Sequence, residues 1–261
     1  MNKKILKVII TTAILLTMYG IREYLHYDGK PSPAKLSETG AKLYLDGNYD
    51  EAITYLMKAA KQGDSQAQCF LGLCYRNGHG IQQNDSIGAE WYKKAAIQGD
   101  STAQHNLFVY YYSQKNDSIE AIKWLMMAAE DNMSEAQYKL GAFHQFGIIV
   151  NKDSLSAIEW YMKAAEQEHV RALYRVGYCY EFSIGLPKND SLAVEWYKKA
   201  VDKDGHEGQY ALGRCYENGI GVPKNEAMAI FFYAKSAQHG NADAQFSLCK
   251  YYLEGKEVPE R

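Results

Sequence analysis

A chain of 261 residues, 47% of them apolar, holds core material for one or two domains or for one elongated array. Its 29 basic and 31 acidic residues nearly balance, which excludes the basic footprint of a nucleic-acid binder and a polybasic membrane patch in the body of the chain. The 22 tyrosines stand out, because tyrosine joins a large contact area to a polar tip and suits repeat cores and binding surfaces equally.

The first element is N-terminal. Lys3, Lys4 and Lys7 precede about 14 apolar or small residues, Val8–Ile21. A basic stretch before an apolar one is the pattern of an export signal. The run is shorter than the roughly 17–25 residues of a full span, and no clear cleavage site follows. The expectation for 1–27 is an export signal, or an uncleaved anchor, with the body of the chain on the far side of the membrane. A cytosolic buried helix fits less well, since the run is apolar all round and not striped. Residues 28–33 read as a linker.

From residue 34 the chain repeats itself. Tyr55, Trp91, Trp124, Trp160, Trp196 and Phe232 recur at intervals of 36, 33, 36, 36 and 36 residues. A fixed period in this range means stacked supersecondary units. Ala67, Leu71, Gly72 and Tyr75 carry helical spacing in one half of a unit, and Ala89, Tyr92, Ala95 and Ala96 carry it in the other. Each unit is therefore predicted to be two helices, with small residues allowing close approach and the tryptophans filling the space between neighbouring pairs. The units run 34–66, 67–102, 103–135, 136–171, 172–207 and 208–243, and 244–261 is left as a terminal capping helix. Gly78, Gly147 and Gly219 are expected to end first helices, and Gly63, Gly99, Asn132 and Gly240 second helices. Asp85, Asp117, Asp153 and Asp190 are expected to cap second helices. The unit 103–135 is three residues short and carries Phe108 where Gly72 stands elsewhere, so local repacking is expected there.

The phrase A-x-x-x-L-G-x-x-Y-x-x-G-x-G…A-x-x-W-Y-x-K-A-A-x-x-G resembles the Sel-one-like repeat, a relative of the tetratricopeptide repeat, and covers roughly 34–261. The unit 34–66 has the shorter loop of a tetratricopeptide-like pair. The resemblance implies an all-α, right-handed α/α superhelical solenoid serving as an adaptor or assembly scaffold. It is specific for fold and poorly specific for function. Cysteine-rich relatives bridge the two helices of one repeat. Here Cys74, Cys179 and Cys215 share one first-helix site and no second helix carries a cysteine, so free thiols are expected.

Signs of chemistry are few. The seven histidines are scattered, without H-x-x-x-H or a carboxylate at metal-ligand spacing, and no cofactor or metal is expected. Asp-Ser-aliphatic phrases place Ser86, Ser118, Ser154 and Ser191 in a pattern that resembles an O-glycan acceptor of exported bacterial proteins. Helix capping accounts for the same residues.

The leading functional expectation is a non-catalytic interaction scaffold at the cell envelope, which is periplasmic if the source is bacterial. Its partner is a protein or peptide, not nucleic acid, and it meets the membrane through the N-terminal segment only. The rivals are a cell-envelope hydrolase of the cysteine-rich type and a structural protein that self-assembles by docking a second copy on the terminal helix. First helices line the concave face of such superhelices. One row there is His105, Tyr138, Tyr174, Tyr210 and Phe246, and a second is Leu73, Val109, Ala142, Tyr178, Arg214 and Lys250. The expected site is Tyr138, Tyr174, Tyr178, Tyr210, Arg214, Phe246 and Lys250: aromatic anchors, with Arg214 or Lys250 pairing a partner's carboxylate. Tyr138-row aromatics also suit the repeat's own packing. Tyr178→Ala and Arg214→Glu are each expected to leave the melting temperature nearly unchanged while abolishing capture of the partner.

Overall fold

The computed structural model describes residues 31–255, so the expected export signal lies outside the described residues. Within them are thirteen α-helices and no strand. They are α1 (Pro33–Leu45), α2 (Tyr49–Lys61), α3 (Ser65–Asn77), α4 (Asp85–Ile97), α5 (Ser101–Ser113), α6 (Ser118–Glu130), α7 (Ser134–Phe146), α8 (Ser154–Glu166), α9 (Val170–Phe182), α10 (Asp190–Val201), α11 (His206–Asn218), α12 (Glu226–Gln238) and α13 (Ala242–Leu253). Helices pair in sequence order, α1 with α2 through α11 with α12, and α13 packs on α12. None is long and apolar enough to cross a membrane. First helices also approach each other, α1 with α3, α3 with α5 and α9 with α11, which places them along the inner side of the array.

The helix ends follow from local chemistry. Gly78, Gly147 and Gly219 take the left-handed conformation past α3, α7 and α11, with Ser183 standing in for glycine past α9. Gly63, Gly99, Asn132 and Gly240 do the same after second helices. Asp117 and Asp153 cap α6 and α8 as expected. At α4 and α10 the expectation needs correcting. Asn84 and Asn189 are the caps there, each accepting from a backbone N–H at 3.0 Å, and Asp85 and Asp190 are the first helical residues. Asparagine one residue upstream holds the extended cap geometry, and the aspartate then meets the positive end of the helix dipole.

The far ends of the second helices are held by a device that recurs along the chain. Buried Gln68, Gln104 and Gln137 each donate from Nε2 to the carbonyl of Ala60, Ala96 and Ala129, at 3.2, 3.3 and 3.1 Å. Gln245 reaches the Ala237 carbonyl at 3.3 Å. The last carbonyls of a helix have no partner within it, and the next unit's glutamine supplies one.

The core assigns different places to the two aromatic residues of each second helix. Tyr161, Tyr197 and Tyr233 are fully buried, and Tyr92 nearly so. Each ring lies on a first-helix glycine so closely that a Cβ on Gly72, Gly141, Gly177 or Gly213 would sit 2.5 to 2.7 Å from a ring carbon. The tryptophans one residue earlier fill the space between neighbouring units, as expected, but lie at the edge of the core. Trp91, Trp160 and Trp196 are half-buried, each packed on the preceding unit's cluster and roofed by a lysine ammonium 3.9, 4.0 and 3.8 Å from the ring centroid. Trp124, which has Met127 in place of that lysine, is buried.

The short unit is repacked by exchanging sizes. Phe108 occupies the glycine site, and Leu125 replaces the buried tyrosine opposite. The Phe108 ring stacks on Tyr112 with centroids 5.5 Å apart and meets Phe143 of the next unit edge-on at 5.9 Å.

Candidate partner-binding face

Two groups of side chains on the first helices differ in what they touch. Tyr138, Tyr174 and Tyr210 lie 5.9, 5.7 and 5.7 Å, centroid to centroid, from Tyr161, Tyr197 and Tyr233. Each is half-buried against its own unit's core tyrosine, so this row extends the repeat packing. Tyr138 also stacks on His169 at 4.9 Å, and His169 in turn caps α9. Phe246 follows the same register on α13, where no described second helix covers it, and is 79% exposed.

The second row leads to a different conclusion for its charged members. The Arg214 Nη2 lies 2.6 Å from both carboxylate oxygens of Glu181, a side chain only 4% exposed, and Tyr197 donates its hydroxyl to the same carboxylate at 2.7 Å. The expectation that Arg214 can be substituted without cost to stability therefore fails. Its charge already balances a buried carboxylate within the chain, and removing it strands that charge. Lys250 lies 3.8 Å from Glu217, the Glu181 equivalent one unit on, which also accepts from Tyr233 at 2.7 Å. At Gln145 the same site accepts from Tyr161 at 2.7 Å.

Around Tyr178 the surface is open and aromatic. Its ring meets Phe182 at 4.4 Å. Phe182 is 45% exposed, and Phe146, one first helix earlier, is 55% exposed. Arg175 bridges them, its guanidinium carbon 5.6 Å from the Phe146 ring, 5.6 Å from Tyr174 and 5.9 Å from Tyr178. Arg214 sits over the other side, 5.4 Å from Phe182. Phe146, Arg175 and Phe182 were not among the sequence candidates. Arg175, Tyr178 and Phe182 follow one another at spacings of three and four, so reading the whole helical face finds them where reading one repeat position misses them.

The remaining candidates separate by location. Ser86, Ser118 and Ser191 are exposed and Ser154 is half-buried, all in the first turns of second helices. The five cysteines are unpaired, with Cys74, Cys179 and Cys215 buried, Cys69 half-buried and Cys249 exposed. Burial pushes the thiols of Cys74, Cys179 and Cys215 up, to about 11, 12 and 12. His79 stacks on Tyr49 at 4.2 Å and bonds the Tyr44 hydroxyl at 2.9 Å, tying the second unit to the first. No group of three potential metal ligands occurs among the described residues. A cavity of about 560 Å³ opens between α12 and α13, walled by Ala234, Ala237, Leu248, Cys249 and Tyr252. Grooves of this kind, between a second helix and the next first helix, receive Trp91, Trp160 and Trp196 further up the chain.

The family model described as Sel1 repeat matches residues 34–64, 65–100, 101–133, 134–169, 170–205, 206–241 and 242–260. Among solved structures the chain is similar to c5321, a protective antigen of uropathogenic Escherichia coli strains displaying an SLR fold. The TM-score is 0.79 at 34% identity, over 88% of this chain and 51% of that one. It is also similar to a Sel1 repeat protein from Oxalobacter formigenes, with a TM-score of 0.78 at 34% identity, over 86% and 91% of the two chains. Among curated proteins, the chitin synthase regulator SKT5 of Saccharomyces cerevisiae is 31% identical over 120 residues, which is 41% of this chain and 17% of that protein. The putative beta-lactamase HcpE of Helicobacter pylori is 34% identical over 82 residues, 31% of this chain and 21% of that protein. The chain thus spans about a fifth or less of these two curated relatives.

Proposed function

This chain belongs to the Sel1 repeat family, a typically non-catalytic scaffold fold whose members generally serve protein interactions, and from that premise we propose that it holds a partner peptide or helix on its first-helix face. One observation carries the reading. Tyr178 and Phe182 in ring contact, with Phe146 joined to them through Arg175, form a half-open aromatic surface over two neighbouring first helices, and none of the three rings belongs to the repeat's own core cluster. Large aromatic side chains with few rotatable bonds lose little entropy on binding and dominate interface energetics. An extended peptide or an amphipathic helix laid along the inner side would meet them in succession. The basic and then apolar residues 1–21 support placing the body of the chain outside the cytoplasm.

The test uses a photo-crosslinking amino acid at position 178 in the native cell, with mass spectrometry of the adduct and then binding of the purified partner. The double variant Tyr178→Ala, Phe182→Ala is expected to lose capture while its helical circular dichroism is preserved. A variant that binds the identified partner as tightly as the parent sinks the assignment and directs attention to the outer side or the loops.

A further inference from the structure

We propose, resting on the binding face just described, that the partner segment is acidic, and that a carboxylate flanked by apolar side chains docks on Arg175 between Phe146, Tyr178 and Phe182. The reason lies in how charge is distributed on this face. Arg214 is neutralised by Glu181 at 2.6 Å, and Lys139 on α7 by Glu135 at 3.0 Å. Arg175, between them on α9, has no carboxylate within ion-pair distance among the described residues. Its immediate surroundings are rings: Phe146 at 5.6 Å, Tyr174 at 5.6 Å and Tyr178 at 5.9 Å.

Those rings surround the guanidinium, which lies over each of them. A cation over aromatic faces is fixed in position and partly desolvated. One donor meets the Tyr138 hydroxyl, and the others lie in the guanidinium plane at the edge, where a carboxylate can take two at once. Exposed phenyl rings on either side, Phe146 and Phe182, keep water away from such a pair and accept the apolar residues beside the acid. A cation that is half-buried, positioned and without a counter-charge is matched by an acidic segment and opposed by a basic one. Arg171, one turn earlier on the same face of α9 and exposed, extends the positive strip toward the start of that helix.

The probe is a displayed library of random twelve-residue peptides, selected on the immobilised full-length protein at low salt. Enriched sequences are expected to carry Asp or Glu next to an aromatic or aliphatic residue. For a selected peptide, replacing that acid by its amide should weaken binding at least tenfold, and Arg175→Gln in the protein should do the same. Combining the two changes should cost little more than either alone, because both remove one contact. The peptide change leaves the protein's fold untouched, so it decides the matter even where Arg175→Gln lowers stability. Peptides that lose binding in Tyr178→Ala but show no acid preference, or bind Arg175→Gln unchanged, overturn this inference and leave the binding face standing. Peptides indifferent to Tyr178→Ala, or a library that yields none, overturn both.

Discussion

Replacing Arg214 by glutamine isolates the buried carboxylate of Glu181. In the native protein that carboxylate is 4% exposed, receives the guanidinium at 2.6 Å and accepts the Tyr197 hydroxyl at 2.7 Å. Breaking a fully buried pair from one side costs about 3–5 kcal/mol, because the remaining charge is left uncompensated. Arg214 itself is 27% exposed, so water reaches its side of the pair, and Tyr197 still donates after the substitution. A loss of about 2–3 kcal/mol is expected. At about 2–4 °C per kcal/mol for a chain of this size, the melting temperature should fall by about 4–12 °C. Calorimetry at neutral pH measures it. Glu181→Gln added to Arg214→Gln removes the stranded charge and should recover more than half of the loss. An Arg214→Gln protein that melts within about 1 °C of the parent, or a double variant no more stable than the single, refutes the argument.

Three further outcomes are expected. Gly177→Ala puts a Cβ 2.7 Å from the Tyr197 ring and 3.0 Å from the Ala193 carbonyl oxygen, and should cost about 1–3 kcal/mol in urea unfolding; adding Tyr197→Leu should make the pair less damaging than the sum of the singles. The hydrogen bond from His169, with Lys139 beside it, holds the Glu135 carboxyl at about 2, below its usual 4.5. A depressed carboxyl gives stability that is complete above about pH 4.5 and is lost as pH falls toward 2, so Glu135→Gln should flatten that limb of an acid-unfolding curve, and an unchanged limb counts against it. A thiol reagent under native conditions should modify exposed Cys249 rapidly, and Cys74, Cys179 and Cys215 only when the array opens; rapid reaction of all five in the folded protein contradicts the burial.

The architecture was legible because the signal repeats. Period, helix pairing and most caps depend on residue types that recur at fixed spacing, and recurrence separates them from noise. What repetition could not supply was helix phase. Trp160 and Tyr161 are adjacent, about 100° apart on the helix, and nothing in the spacing says which one faces the pair and which one lies at its edge under a lysine. The glutamine after the first-helix alanine, at 68, 104, 137 and 245, was visible throughout but reads as a solvated polar residue until the carbonyl it meets is known. Arg214 and Glu181 stand 33 residues apart on neighbouring first helices, so their pairing depends on how closely those helices approach. Phe146 was hidden for a different reason: it sits at a helix end, where Asn77, Ser113 and Asn218 occupy the equivalent site and the repeat phrase carries its loop signals.

The exchange of sizes at Phe108 and Leu125 has a consequence for how the chain avoids pairing with itself incorrectly. Copies this alike invite a first helix to dock on the wrong second helix, a recognised failure of repeat arrays. Four second helices, α4, α8, α10 and α12, present a tyrosine to the slot, and two, α2 and α6, present a leucine. A glycine-bearing first helix fits either kind, as Gly40 against Leu56 shows. Phe108 does not, because its ring and a tyrosine ring would claim the same space, so α5 is barred from four of the six. One helix that refuses most partners breaks the translational ambiguity of the whole chain, since its neighbours must then count outward from it. The unit that departs furthest from the repeat is in this way the one that tells the others where they belong.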